Sequence, residues 1–271
     1  MFRIMKGLTV GSALCGLALL AQLATTLPVV QATNNSGVVP RNKKTAGKSY
    51  TQWSNSWWQW VDSIPASVSP LPDGTGANCA QNQSGPVWYL AGSSDGVSHV
   101  RTCTVPAGKS IFFPLANGQE DEREAAIDLA FFASADCPGV FGSTVCATLH
   151  NKLDPINTNH MRQLVDYIYT EVFDLLADPS TTGLFAKIDG SSVADVGSYR
   201  FDSGGGGYTI TLPATGTDNY HTVFGYSIPG PDTYQGAQVG YYLMLEPLSA
   251  GAHDVEFGRP GWVITYHLTV Q

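Results

Sequence analysis

Trp262-Val263-Ile264-Thr265-Tyr266-His267-Leu268-Thr269-Val270 is the stretch from which the fold is read. Ile264, Tyr266, Leu268 and Val270 fall on one side of an extended chain, and Thr265, His267 and Thr269 on the other. Such period-two alternation describes a strand with one face in a core and one in water. Shorter runs of β-branched and aromatic residues recur upstream at 87–91, 97–105, 110–115, 184–188, 191–196, 198–202, 208–212, 239–245 and 252–257. Turn residues separate them: Pro106-Ala107-Gly108-Lys109, Asp189-Gly190 and the glycine run 204–207. The first three runs read as an antiparallel meander.

Helical spacing appears in three places. Tyr50, Trp53, Trp57 and Trp60 or Val61 form an aromatic stripe that Pro65 ends. A helix over 120–133 would begin with Glu120, Asp121 and Glu122, acids that complement its dipole. Met161, Leu164, Val165, Ile168, Val172, Leu175 and Leu176 predict a helix from Asn157 or Asn159 to about 177, stopped at Asp178-Pro179. The expected fold is mainly β, in the α+β class. It is an antiparallel β-sandwich, Ig-like or jelly-roll-like, with an N-terminal aromatic helix and one or two inserted helices. It occupies residues 49–271 as one domain, after a flexible linker at 33–48.

Residues 1–32 read as a cleavable signal peptide. Arg3 and Lys6 precede an apolar run, and Val30-Gln31-Ala32 offers small residues for cleavage. No membrane span is expected after cleavage. Without Arg3 and Lys6 the chain carries 12 basic against 22 acidic residues, net −10. That charge disfavours nucleic acid as a partner. Cys79, Cys103, Cys137 and Cys146 remain, an even number that argues for two bridges in an exported chain. The local pairs Cys79–Cys103 and Cys137–Cys146 are favoured, because each closes a short loop.

Several motifs recur together. They are W-x-x-x-W-W-x-W from Trp53, G-P-V-W-Y-L-A-G from Gly85, R-T-C-T-V-P-A-G-K-S-I-F-F-P from Arg101 and P-L-S-A-G-A-H from Pro247, followed by T-Y-H-L-T-V at the C-terminus. The combination resembles a family of secreted bacterial proteins of unknown function. The resemblance spans Trp53 to Val270 and implies export, with no activity attached. The P-L-x-x-G-x-H turn also occurs between strands of unrelated sandwiches, so it speaks to fold.

Candidate sites are few. Trp58 falls off the aromatic stripe and is the ring expected to be exposed, where it could stack on a glycan. Asn117, Glu120, Asp121 and Glu122 cluster oxygen ligands that suit Ca²⁺, or else form the acidic first turn of a helix. Gly92-Ser93-Ser94-Asp95-Gly96 matches the nucleophile-elbow pattern, but a strand follows it where a helix is required. The six histidines show no metal-ligand spacing, and no spacing selects a carboxylate pair for glycoside hydrolysis. No catalytic residue, metal site or cofactor is therefore assigned. The expected function is a secreted binding module for a glycan or cell-surface partner. Alternatives are a secreted hydrolase built around 117–122 and a structural envelope-associated protein.

Overall fold

The computed structural model describes residues 37–271, so the signal-peptide reading of 1–32 lies outside the described residues. Two five-stranded sheets form a sandwich-like α+β layout, as the alternation predicts. The first sheet contains β1 (Val87–Tyr89), β3 (Ser110–Asp121), β6 (Arg200–Asp202), β7 (Tyr208–Thr211) and β8 (Thr233–Leu245). Its order is β1-β3-β8-β6, and β7 also pairs with β8. The second contains β2 (His99–Val105), β4 (Phe185–Ile188), β5 (Ser191–Ser192), β9 (Gly251–Arg259) and β10 (Trp262–Val270), in the order β2-β10-β9-β4-β5. Ile264, Tyr266, Leu268 and Val270 are buried, while His267 and Thr269 are exposed.

The sheets are mixed, which corrects the all-antiparallel expectation. β1 runs parallel to β3, and β2 parallel to β10. The chain leaves the first sheet after β1, lays β2 on the second, and returns with β3, so these three strands make no meander. The Cys79–Cys103 bridge ties β2 to the preceding loop, with Cα atoms 6.0 Å apart. The Cys137–Cys146 bridge forms as well.

α1 (Tyr50–Asp62) begins in a capping box of Ser49 and Gln52. All four of its tryptophans are buried, Trp58 included. Each indole N–H finds an acceptor: Trp53 on Thr45 O, Trp57 on Leu90 O, Trp58 on the Tyr242 hydroxyl and Trp60 on Gln81 O. Trp58 is thus not exposed, because β8 closes over the flank of the helix that a single stripe would leave wet. The linker segment is also anchored where it is described. Val38 and Val39 are buried, and Val39 N–H donates to Met244 O at 2.8 Å.

A helical insertion separates β3 from β4 and is larger than the one or two helices expected. It comprises α2 (Glu122–Phe132), α3 (Cys137–Phe141), α4 (Ser143–Leu153), α5 (Thr158–Tyr167), a π-helical turn over Ile168–Val172, and α6 (Pro179–Thr182). Phe132, Leu149, Leu153, Met161 and Leu164 give it a small core around the Cys137–Cys146 bridge. A last short helix, α7 (Tyr220–Val223), precedes β8. Among the described residues no helix is long and apolar enough to cross a membrane.

Candidate metal centre

The polar end of β3 is Asn117-Gly118-Gln119-Glu120-Asp121, and it is strand, not loop. That corrects the expected ligand loop at 117–122. Side chains alternate across a strand, so these residues cannot converge on one ion. Gln119 and Asp121 face α1 and α7: Gln119 donates to Asp62 of α1 at 3.1 Å, and Asp121 meets His221 of α7. Gly118 faces the insertion, against the Tyr169 ring. Glu120 shares that face, where the charge of Asp128 bears on it. Asn117 is half-buried and its amide nitrogen is unpartnered. Glu122 is exposed and accepts from Gln235 N–H at 3.0 Å.

Asp121 ends the strand and begins the helix. Its Oδ1 caps α2 by accepting from Arg123 N–H at 2.8 Å and Glu124 N–H at 3.0 Å. Its Oδ2 lies 2.8 Å from His221 Nε2. One turn along α2, Glu124 Oε1 lies 4.0 Å from the same nitrogen. His221 is held by the Asn219 cap of α7 and is fully buried. Asp121, Glu124 and His221 each offer one ligand atom, all within 4.8 Å of one another. The Tyr234 hydroxyl on β8 sits 3.2 Å from His221 Nε2.

Three more carboxylates surround this triad. Asp62, Glu120 and Asp128 are buried with it. Burial, then the charge of Asp121, pushes the Asp62 carboxyl well above its ordinary range. Glu120 rises through burial and its acidic neighbours Asp128 and Asp121, and Glu124 through burial and Asp121. Burial lifts Asp128 to about 7, although the Tyr226 hydroxyl donates to it at 3.2 Å. Oδ2 of Asp62 and Oε1 of Glu120 are buried with no hydrogen-bond partner. The cation at the mouth of α2, Arg123, turns outward to Asp232 at 2.6 Å. Buried carboxylates are normally paired with a cation or a metal. Among the described residues this set meets the His221 imidazole and no lysine or arginine side chain.

A second histidine site resolves differently. His253 Nδ1 faces Asp189 at 2.8 Å, and its Nε2 lies 3.2 Å from Ser249 Oγ, the order of a Ser–His–Asp triad. The same Nε2 also meets the Ser249 carbonyl oxygen at 3.0 Å. A carbonyl can only accept, so that nitrogen carries its proton and is no base for the serine. Asp189 raises the His253 imidazole above its ordinary range. The group staples the P-L-S-A-G-A-H turn.

Of the candidates read from the sequence, Asp121 is in the triad and Glu120 beside it. Asp62, Glu124, Asp128, His221 and Tyr234 were missed. Asp121, Glu124 and Asp128 at i, i+3 and i+7 would have signalled one helical face of acids. Nothing near His221 in sequence announces it. No protein family, curated protein or solved structure matches this chain.

Proposed function

We propose that the protein is an exported binding protein whose ligand is a metal cation, held by Asp121, Glu124 and His221. One observation carries this reading: among the described residues, five buried carboxylates and an imidazole gather with no lysine or arginine side chain between them. An uncompensated buried carboxylate costs several kcal/mol, and a cation supplies the missing charge. Two disulfides support export, since such bonds persist in oxidising compartments.

The hydrolase alternative needs a passage for substrate to these acids. Two surface depressions, of about 500 and 390 Å³, lie away from these acids, beside Cys79–Cys103 and between Gln59 and Thr211. A bare cation needs far less room. A glycan or surface partner would have to use the exposed faces, where buried Trp58 offers it no ring.

Metal-free protein incubated separately with Ca²⁺, Mn²⁺, Zn²⁺ or a ferric chelate, then desalted, tests the reading. One equivalent of the preferred cation should stay with the chain and raise Tm. Saturation at 100 times Kd stabilises by about 2.7 kcal/mol. That corresponds to roughly 5–10 °C in a chain of this size. Glu124→Gln is nearly isosteric and should lose both effects. Equal metal content in wild type and in the Glu124→Gln/His221→Gln protein would sink the proposal.

A further inference from the structure

We infer that the cation is Zn²⁺ and that it keeps one water, which Asp62 holds from α1. The inference rests on the centre proposed above and names its ion and a positioning residue. Asp121 Oδ2 lies 2.8 Å and Glu124 Oε1 4.0 Å from His221 Nε2. Donors about 2.0–2.2 Å from a tetrahedral ion stand roughly 3.3–3.6 Å apart, so the two distances bracket that edge.

Donor type narrows the ion. Ca²⁺ and Mg²⁺ take oxygen alone, whereas an imidazole suits zinc, copper, iron or nickel. The four cysteines among the described residues are in disulfides, so no thiolate draws a softer ion. Coordination number narrows it further. Asp121 and His221 have no exposure and Glu124 is 4% exposed. An octahedral ion would need three more donors in that space, and a tetrahedral one needs a single water. Three protein ligands and a water make up the open form of a zinc site.

The acceptor for that water is in place. Asp62 is the last residue of α1 and fully buried. Its Oδ1 accepts from Gln119 Nε2 at 3.1 Å, and Gln119 Oε1 accepts in turn from the Tyr208 hydroxyl of β7. Gln119 and Asp121 alternate onto one face of β3, so this chain of bonds sets Asp62 where the charge of Asp121 bears on it. Asp62 stands outside the group whose ligand atoms lie within 4.8 Å of one another, which suits a partner acting through a water. Its Oδ2 is buried with no hydrogen-bond partner, and this is the independent sign of the site. A carboxylate oxygen left so is costly, and a water on the ion can donate to it.

Titration of the metal-free full chain with Zn²⁺ and with Co²⁺, against a chromophoric chelator, is the test. One Zn²⁺ per chain should bind, and Co²⁺ in its place should show the intense visible bands of a four-coordinate ion. Asp62→Asn keeps the bond from Gln119 through its carbonyl oxygen and turns an amide N–H toward the water, which needs an acceptor. It should bind Zn²⁺ about 10–100-fold more weakly and change the Co²⁺ spectrum. Tyr208→Phe cuts the same chain one link further out and should weaken Zn²⁺ by less. Tyr226→Phe, which frees Asp128 instead, should leave both readouts unchanged. If Asp62→Asn, or Tyr208→Phe where Asp62→Asn does not fold, matches wild type in Zn²⁺ affinity and Co²⁺ spectrum, Asp62 holds no water on the ion. Preference for Ca²⁺ or Mn²⁺ over Zn²⁺, or weak six-coordinate Co²⁺ bands, overturns the inference and leaves the metal centre standing. Failure to retain any cation overturns both.

Discussion

Asp121 serves two structures with one carboxylate, capping α2 through Oδ1 and meeting His221 through Oδ2. Asparagine caps helices as well as aspartate, whereas alanine costs about 1 kcal/mol. Asp121→Asn should therefore leave the unfolding midpoint of metal-free protein within about 1 kcal/mol of wild type while abolishing cation retention. A cation that stays bound to Asp121→Asn would remove this residue from the centre. Arg101 is the opposite case, buried with no carboxylate partner among the described residues. Its Nη1 donates to Ala91 O, Gly92 O and the Tyr266 hydroxyl, and Nη2 to Leu71 O, at 2.8–3.1 Å. A lysine ammonium cannot span both sides of that fork. Arg101→Lys should lower unfolding stability by about 2–3 kcal/mol, from carbonyls left unpaired. An unchanged denaturant midpoint would show the fork to be dispensable. Neither role was legible in sequence. Arg101 reads as an ordinary polar residue of an alternating strand, and His221 reaches Asp121 across 100 residues of chain.

Elements were legible where their own periodicity carried them. β10 and α1 follow their apolar patterns, and α5 follows Met161, Leu164 and Val165. α3 and α4 were not foreseen because glycine, proline and β-branched residues fill 137–148. They are held by packing and by Cys137–Cys146, not by propensity. The end of β3 misread as loop because both its faces are polar. Its burial comes from elements distant in sequence, α1 and α7 on one side and the insertion on the other. The insertion docks through the π-helical turn, which sets the Tyr169 ring on Gly118. A Cβ at Gly118 would lie 2.5 Å from that ring. Gly118→Ala should cost about 1–3 kcal/mol by overpacking. Trimming the ring in Gly118→Ala/Tyr169→Leu should make the pair less destabilising than the sum of the singles. Additive costs in a double-mutant cycle would mean that the insertion is seated elsewhere.

At the scale of the molecule, the unpaired acids decide how stability varies with pH when no cation is bound. Asp128 has an ordinary value of 3.8 and is lifted to about 7 in the fold. Between those values the unfolded chain has lost this proton and the folded chain keeps it. Unfolding then releases a proton, and stability falls as pH rises, by up to about 1.4 kcal/mol per pH unit for each such group. Asp62, Glu120 and Glu124, raised in the same direction, add to the slope. Carboxylates held low by hydrogen bonds, Asp73, Asp95 and Asp232, act oppositely, but their contribution is lost only on acidification through their lowered values. Metal-free protein should therefore have a higher Tm near pH 5 than near pH 7.5, and Asp128→Asn should flatten the slope. Saturating cation should reverse the trend, since coordination requires deprotonated ligands and strengthens as pH rises. Differential scanning calorimetry across this range, with and without chelator, separates the two curves. If Tm in chelator rises from pH 5 to 7.5, the buried carboxylates are not held protonated in the fold.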